Sequence, residues 1–235
     1  MPSDHRPTLE ICVDAPDDLL TAVEAGVDRI ELCSALALGG LTPTPGLIEL
    51  ARTVSVPVYA MSRPRGGDFC YSAAELAVMH REIEAVRAAG LAGVVFGVAT
   101  SDGALDWQAM AALCETAQGL GRTLHRVVDD LADPVGAVRA AADLGCERIL
   151  TSGGADKALQ GATTISNMIQ DARSEIEIMA GSGVNAAAVP DLAAAGVWSF
   201  HASCAQKGGA QVGQQSIDPV ALQALQSAIW RLTEA

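Results

Sequence analysis

Two short apolar segments near the start of the chain each carry a carboxylate and a thiol two residues apart: Glu10 and Cys12 in Leu9-Glu10-Ile11-Cys12, and Glu31 and Cys33 in Ile30-Glu31-Leu32-Cys33. In an extended strand, residues i and i+2 share a face, so each segment presents its carboxylate and thiol together. A carboxylate in so apolar a strand is costly without a cation beside it, and Arg63, Arg65 and Arg126 are the candidate partners. Two readings stand open for Glu10 and Glu31: salt-bridged braces, or a general acid and base. The thiols match no CxxC element, but consecutive parallel strands lie about 4.8 Å apart, which brings Cys12 and Cys33 within reach of a shared ion. Two thiolates suit a soft ion such as Cu(I), and the plain alternative is that both pack as small buried hydrophobes.

The remaining polar clusters suggest anion chemistry. Arg63-Pro64-Arg65-Gly66-Gly67-Asp68 sets two guanidiniums around a rigid proline before two glycines, which reads as a carboxylate or phosphate clamp or as a structural loop. Ser152-Gly153-Gly154 and Gly181-Ser182-Gly183 run toward helices and offer backbone N–H groups of the kind that cradle phosphate; Arg126, His201 and Ser203 stand beside such a cradle. His125 and His201 suit proton transfer or metal ligation, and His125 has Asp129 close behind. Glu10, Glu31, His125 and Asp129 are therefore the acid–base candidates should the chain be an enzyme. Cys114 and Cys146 read as packing, and His5 and His80 are given no role.

Positioning these groups requires many short strands. A helix ending at Gly followed by a short apolar strand recurs at Gly26, Gly90, Gly145 and Gly196. With Leu9–Cys12, Val58–Ser62, Thr123–Arg126 and Ile176–Ala180 the strands number eight. Helix starts are marked by the capping box Ser72-Ala73-Ala74-Glu75 and by Asp133-Pro134 and Asp218-Pro219. Short strands alternating with helices demand a parallel sheet, and eight units with no second composition zone favour one closed (β/α)8 TIM barrel. The expected domain is residues 1–235, with a core over about 8–204 and a last helix over about 218–234. Lys207–Gln215, rich in Gly and Gln, is expected to be a mobile loop. In such barrels functional groups sit at the C-terminal ends of strands, where all the candidates above fall.

Half the residues are apolar but only 3% aromatic, which builds a core of thin aliphatic layers. A formal net charge of −13 excludes the basic footprint that nucleic acid or an anionic membrane requires. No signal peptide and no long apolar run is evident, so a cytoplasmic location is expected. Six scattered cysteines suggest thiols rather than a disulfide framework.

The stretches LEICV, DRIELCSALALGGLTPTPGLI, RPRGGDFCYS, HRVVDD, RILTSGGADKALQG and IMAGSGVN resemble the CutC family, linked to copper homeostasis, over nearly the whole chain from Leu9 to Ser203. The resemblance implies a (β/α)8 barrel, a cytoplasmic location and homo-oligomers, either dimers or tetramers. It also implies copper ligands at Cys12 and Cys33. Where the family commonly reads HRAFD this chain has His125-Arg126-Val127-Val128-Asp129, which keeps the three polar residues. The mouth carries more acids, arginines and histidines than copper handling requires, and the alternative is an enzyme acting on a small phosphorylated or carboxylated metabolite.

Overall fold

A computed structural model, describing residues 6–205 and 216–234, shows eight parallel strands closed in the order β1 to β8. The elements run β1 (Thr8–Val13), α1 (Pro16–Glu24), β2 (Arg29–Leu32), α2 (Pro45–Ala51), β3 (Val58–Met61), α3 (Ala73–Ala89), β4 (Gly93–Phe96) and α4 (Trp107–Thr116). They continue with β5 (Gly121–Leu124), α5 (Ala137–Asp143), β6 (Arg148–Thr151), α6 (Ala162–Ala172), β7 (Glu177–Ala180), α7 (Val189–Ala194), β8 (Ser199–Ala202) and α8 (Pro219–Trp230). This is the TIM barrel expected from the sequence.

Strand alternation divides the interior in two. Leu9, Ile11, Val13, Ile30, Leu32 and Phe200 point outward into the main core beneath the helices. The alternate positions point into the lumen, where the apolar residues are few: a small cluster of Cys33, Tyr59, Met61 and Val95, with Leu150 and Met179 apart from it. Removing a Leu or Ile side chain from water contributes about 1.5–3 kcal/mol, so the outer layer holds the barrel closed and leaves the lumen free to be polar. Tyr59 crosses the lumen floor, and glycines open its path: a Cβ at Gly93 would lie 2.2 Å from its ring and one at Gly121 2.1 Å from its hydroxyl.

Helix starts follow local chemistry. Ser72 and Glu75 form the expected capping box, and the Asp218 carboxylate accepts from the Val220 and Ala221 N–H groups. Asp133-Pro134 behaves differently, because the Asp133 carboxylate accepts from the Gly136 N–H at 2.8 Å in a turn and α5 begins only at Ala137. The fifth strand lies two residues earlier than the sequence suggests, over Gly121–Leu124 instead of Thr123–Arg126. It ends at Leu124, and His125 accepts the Val127 N–H at the head of a 3-10 turn over Arg126–Asp130. His80 lies half-buried on α3, its Nδ1 2.6 Å from the Thr116 hydroxyl. Lys207–Gln215 and His5 lie outside the described residues. All six cysteines are free, and among the described residues no helix is long and apolar enough to cross a membrane.

Candidate functional site

The lumen is built from the floor upward as a chain of charges. At the floor, Arg148 Nε meets Glu177 Oε2 at 3.1 Å, and Arg29 Nη2 lies 3.6 Å from Glu177 Oε1. Both guanidiniums stand over the Tyr59 ring, at 5.6 and 5.2 Å from its centroid. One layer up, β1 is staggered against its neighbours so that Glu10 lies beside Arg29 on β2 and His201 on β8. Its carboxylate hydrogen-bonds Arg29 Nε with one oxygen and lies 2.8 Å from His201 Nδ1 with the other. The cation that offsets Glu10 is thus Arg29 together with His201, rather than Arg63, Arg65 or Arg126. A two-residue stagger between β1 and β2 sets the carboxylate against the guanidinium instead of against Glu31.

Burial alone would raise the Glu10 pKa, but the hydrogen bond from His201 and the Arg29 charge outweigh it and bring the carboxyl down to about 2. Glu31 has the opposite fate: burial, reinforced by the Glu10 charge, raises it, while His201 pulls the other way. For His201, burial pushes downward, yet Cys12, Glu31 and Glu10 together hold the imidazole well above its ordinary value.

The top layer is the mouth. The same stagger sets Cys12 beside Glu31 rather than beside Cys33. One donor atom each from Cys12, Glu31 and His201 lies within 4.8 Å of the others, and among the described residues this is the one such trio of His, Cys, Asp or Glu. His201 Nε2 faces Glu31 Oε2 at 3.8 Å, and Glu31 Oε1 is buried without a hydrogen-bond partner. Cys33 lies outside the trio. Its sulfur is 3.5 Å from Glu31 Oε2, and burial and the Glu31 charge push its thiol well up, so it stays protonated. Above the trio opens a cavity of about 360 Å³, lined by Cys12, Glu31, Arg63, His125, Arg126 and His201 among others.

The arginine pair separates. Arg63 lines this cavity, but Arg65 does not; its guanidinium is committed to Glu75 at 2.6 Å, Asp68 at 3.0 Å and the Cys70 carbonyl at 2.8 Å. The glycine-rich turn after β6 is filled from within. Asp129 accepts from the Ser152 N–H at 3.0 Å, the Gly154 N–H at 3.1 Å and the Thr151 hydroxyl at 2.5 Å, while Arg126 pairs with the same carboxylate at 2.8 Å. Asp129 thereby occupies the place in which an external anion was expected; Arg126 and Ser152 serve that internal clamp, and the Gly153 N–H donates to the Thr151 hydroxyl at 2.8 Å. The turn after β7 remains at the cavity, with Ser182, Gly183 and, just past the end of β8, Ser203 along its wall. Gly181 carries no side chain because a Cβ there would meet Leu150 Cδ1 at 2.4 Å.

Arg29, Tyr59, Arg148 and Glu177 escaped the sequence reading. Their signal was present, since Arg29 precedes Glu31 by two residues and shares its face. Phe69, which packs 4.7 Å from the His125 ring, carried no such signal.

Comparison with known proteins agrees with this architecture. The CutC family model matches residues 7–206. A family protein CutC of Rhizobium meliloti is 52% identical over 203 residues, covering 85% of this chain and 82% of the relative. One of Caulobacter vibrioides is 50% identical over 190 residues, covering 81% and 78% respectively. Among solved structures, a protein of Streptococcus agalactiae described as a candidate copper homeostasis protein CutC superposes with a TM-score of 0.80 at 30% identity, covering 84% of this chain and 98% of that one. The chain belongs to the CutC family.

Proposed function

We propose that this protein binds one copper ion at the barrel mouth, with Cys12 and His201 as principal ligands and Glu31 beside them, and that it serves copper handling in the cytoplasm. The observation that carries the reading is the convergence of the three donors within 4.8 Å. His201 gives its Nδ1 to Glu10 and leaves Nε2 on the side of Cys12 and Glu31, the arrangement by which a carboxylate orients a metal-binding imidazole. A thiolate and an imidazole suit copper, and the unpartnered Glu31 oxygen is a buried acceptor that a cation would satisfy. Cys33 stands behind Glu31 and supports the site without being a direct ligand. The copper-homeostasis description carried by the Streptococcus agalactiae protein supports the choice of metal.

X-ray absorption on copper-loaded protein tests the assignment. One sulfur with nitrogen or oxygen in the first shell is the expected result. Two sulfurs would return the site to the Cys12–Cys33 pair, and protein that retains no copper after desalting would end the proposal.

A further inference from the structure

In the same cavity as the trio, His125 and Arg63 have no part in the copper reading. Both are more than nine-tenths buried, both line the cavity, and each holds one polar atom without a partner: His125 Nε2 and Arg63 Nε. His125 Nδ1 accepts the Val127 N–H at 3.2 Å, which places the proton of a neutral ring on Nε2 and makes that atom a donor. Burial, with the nearby Arg63 charge, holds the ring neutral, with a pKa of about 3. Arg63 donates to the carbonyls of Leu38 at 3.0 Å, Gly40 at 3.2 Å and Gly67 at 2.9 Å, all uncharged acceptors.

Among the described residues no carboxylate lies within salt-bridge distance of Arg63. Every other arginine named at the mouth or floor has one: Arg65 has Asp68 and Glu75, Arg126 has Asp129, Arg29 has Glu10, and Arg148 has Glu177. A buried cation without a counter-ion is costly, and a ligand anion would offset that cost. Phe69 holds the two groups side by side, its ring 4.8 Å from the Arg63 guanidinium carbon and 4.7 Å from the His125 ring.

We infer that the mouth takes a small organic monocarboxylate, its anionic oxygens held by the Arg63 guanidinium and the His125 Nε2–H. One cation and one neutral donor match a single negative charge. A phosphate dianion fits less well, because the buried Glu31 lines the same cavity and, of the two glycine-rich turns, the one after β6 is filled by Asp129, leaving only the turn after β7 at the wall. A volume of about 360 Å³ stands at the small end of ligand pockets and suits an acid of a few carbons. The inference is independent of copper, since neither group belongs to the trio.

Calorimetric titration of metal-free protein with acetate, pyruvate and 3-hydroxybutyrate, with inorganic phosphate for comparison, tests it. At least one carboxylate binds saturably and more tightly than phosphate. His125→Asn keeps an acceptor for the Val127 N–H, but its shorter amide places no N–H at the position of Nε2, and it weakens binding roughly tenfold or more, as the loss of a hydrogen bond to a charged group does. Should that variant fail to fold, histidine-labelled parent protein gives the same answer by NMR: the His125 Nε2–H resonance moves on adding the carboxylate. No saturable carboxylate binding, tighter binding of phosphate, or a His125 signal and affinity that do not respond would each overturn the inference.

Discussion

Replacing Glu10 by Ala removes the acid that joins the floor of the lumen to its mouth. Arg29, 9% exposed in its side chain, and His201, 10% exposed, both lose their principal partner. Breaking a buried ion pair from one side costs about 3–5 kcal/mol, because the remaining charge stays desolvated. Arg29 keeps Glu177 at 3.6 Å, which places the expected loss near the lower figure, about 3 kcal/mol. In a chain of this size that lowers Tm by roughly 6–12 °C. Thermal and urea unfolding of Glu10→Ala and of the near-isosteric Glu10→Gln measure it, with Glu10→Gln the milder because it retains a hydrogen-bonding oxygen. The double variant Glu10→Ala, Arg29→Met should recover part of the loss, since it removes the stranded guanidinium as well. A Glu10→Ala variant within about 1 kcal/mol of the parent would refute the view that this network is desolvated and interdependent.

Gly93→Ala forces a Cβ to within 2.2 Å of the Tyr59 ring and 2.7 Å of the Gly121 carbonyl, and should destabilise by about 1–3 kcal/mol or more in chemical unfolding. Asp129→Asn removes the charge that gathers the turn after β6, and amide exchange at Ser152 and Gly154 should quicken while exchange at β1 stays unchanged. His125 gives a pH signature. Its folded-state pKa of about 3 lies below the ordinary 6.5, so the unfolded chain binds the extra proton between these values and stability falls as pH drops through that window. From pH 7 to pH 4.5 the His125 contribution falls by about 2–3 kcal/mol, and His125→Asn should flatten the stability–pH curve by that amount.

The barrel was legible in the sequence because four of its repeats state their own ends, with glycine after the helix and then a short aliphatic strand, and the remaining short strands fill the gaps at matching intervals. Several residues at the mouth, Cys12, Glu31, Arg63, His125, Arg126 and His201 among them, were legible as strand-end groups, since a barrel gathers strand ends wherever they occur in the chain, whereas Glu10, Cys33 and Arg65 do not line it. The pairing of these groups was not legible. Sharing a face follows from alternation within one strand, but which residues meet between strands depends on the stagger, and the two-residue offset that sets Glu10 against Arg29 and Cys12 against Glu31 has no local signature. In the same way Asp129 in His125-Arg126-Val127-Val128-Asp129 reads as an available base until the turn after β6 folds around it. Arg63 and Arg65, two residues apart, diverge because Glu75 on α3 captures the second and loop carbonyls hold the first.

Cu(I) competition titration of four proteins, the parent and its Cys12→Ser, His201→Ala and Cys33→Ser variants, bears most directly on the proposed copper site. The parent should take up one equivalent, Cys12→Ser and His201→Ala should weaken uptake by about a hundredfold, and Cys33→Ser should stay within a few-fold of the parent. Loss of copper in Cys33→Ser equal to that in Cys12→Ser, with His201→Ala binding like the parent, would contradict the trio of Cys12, Glu31 and His201.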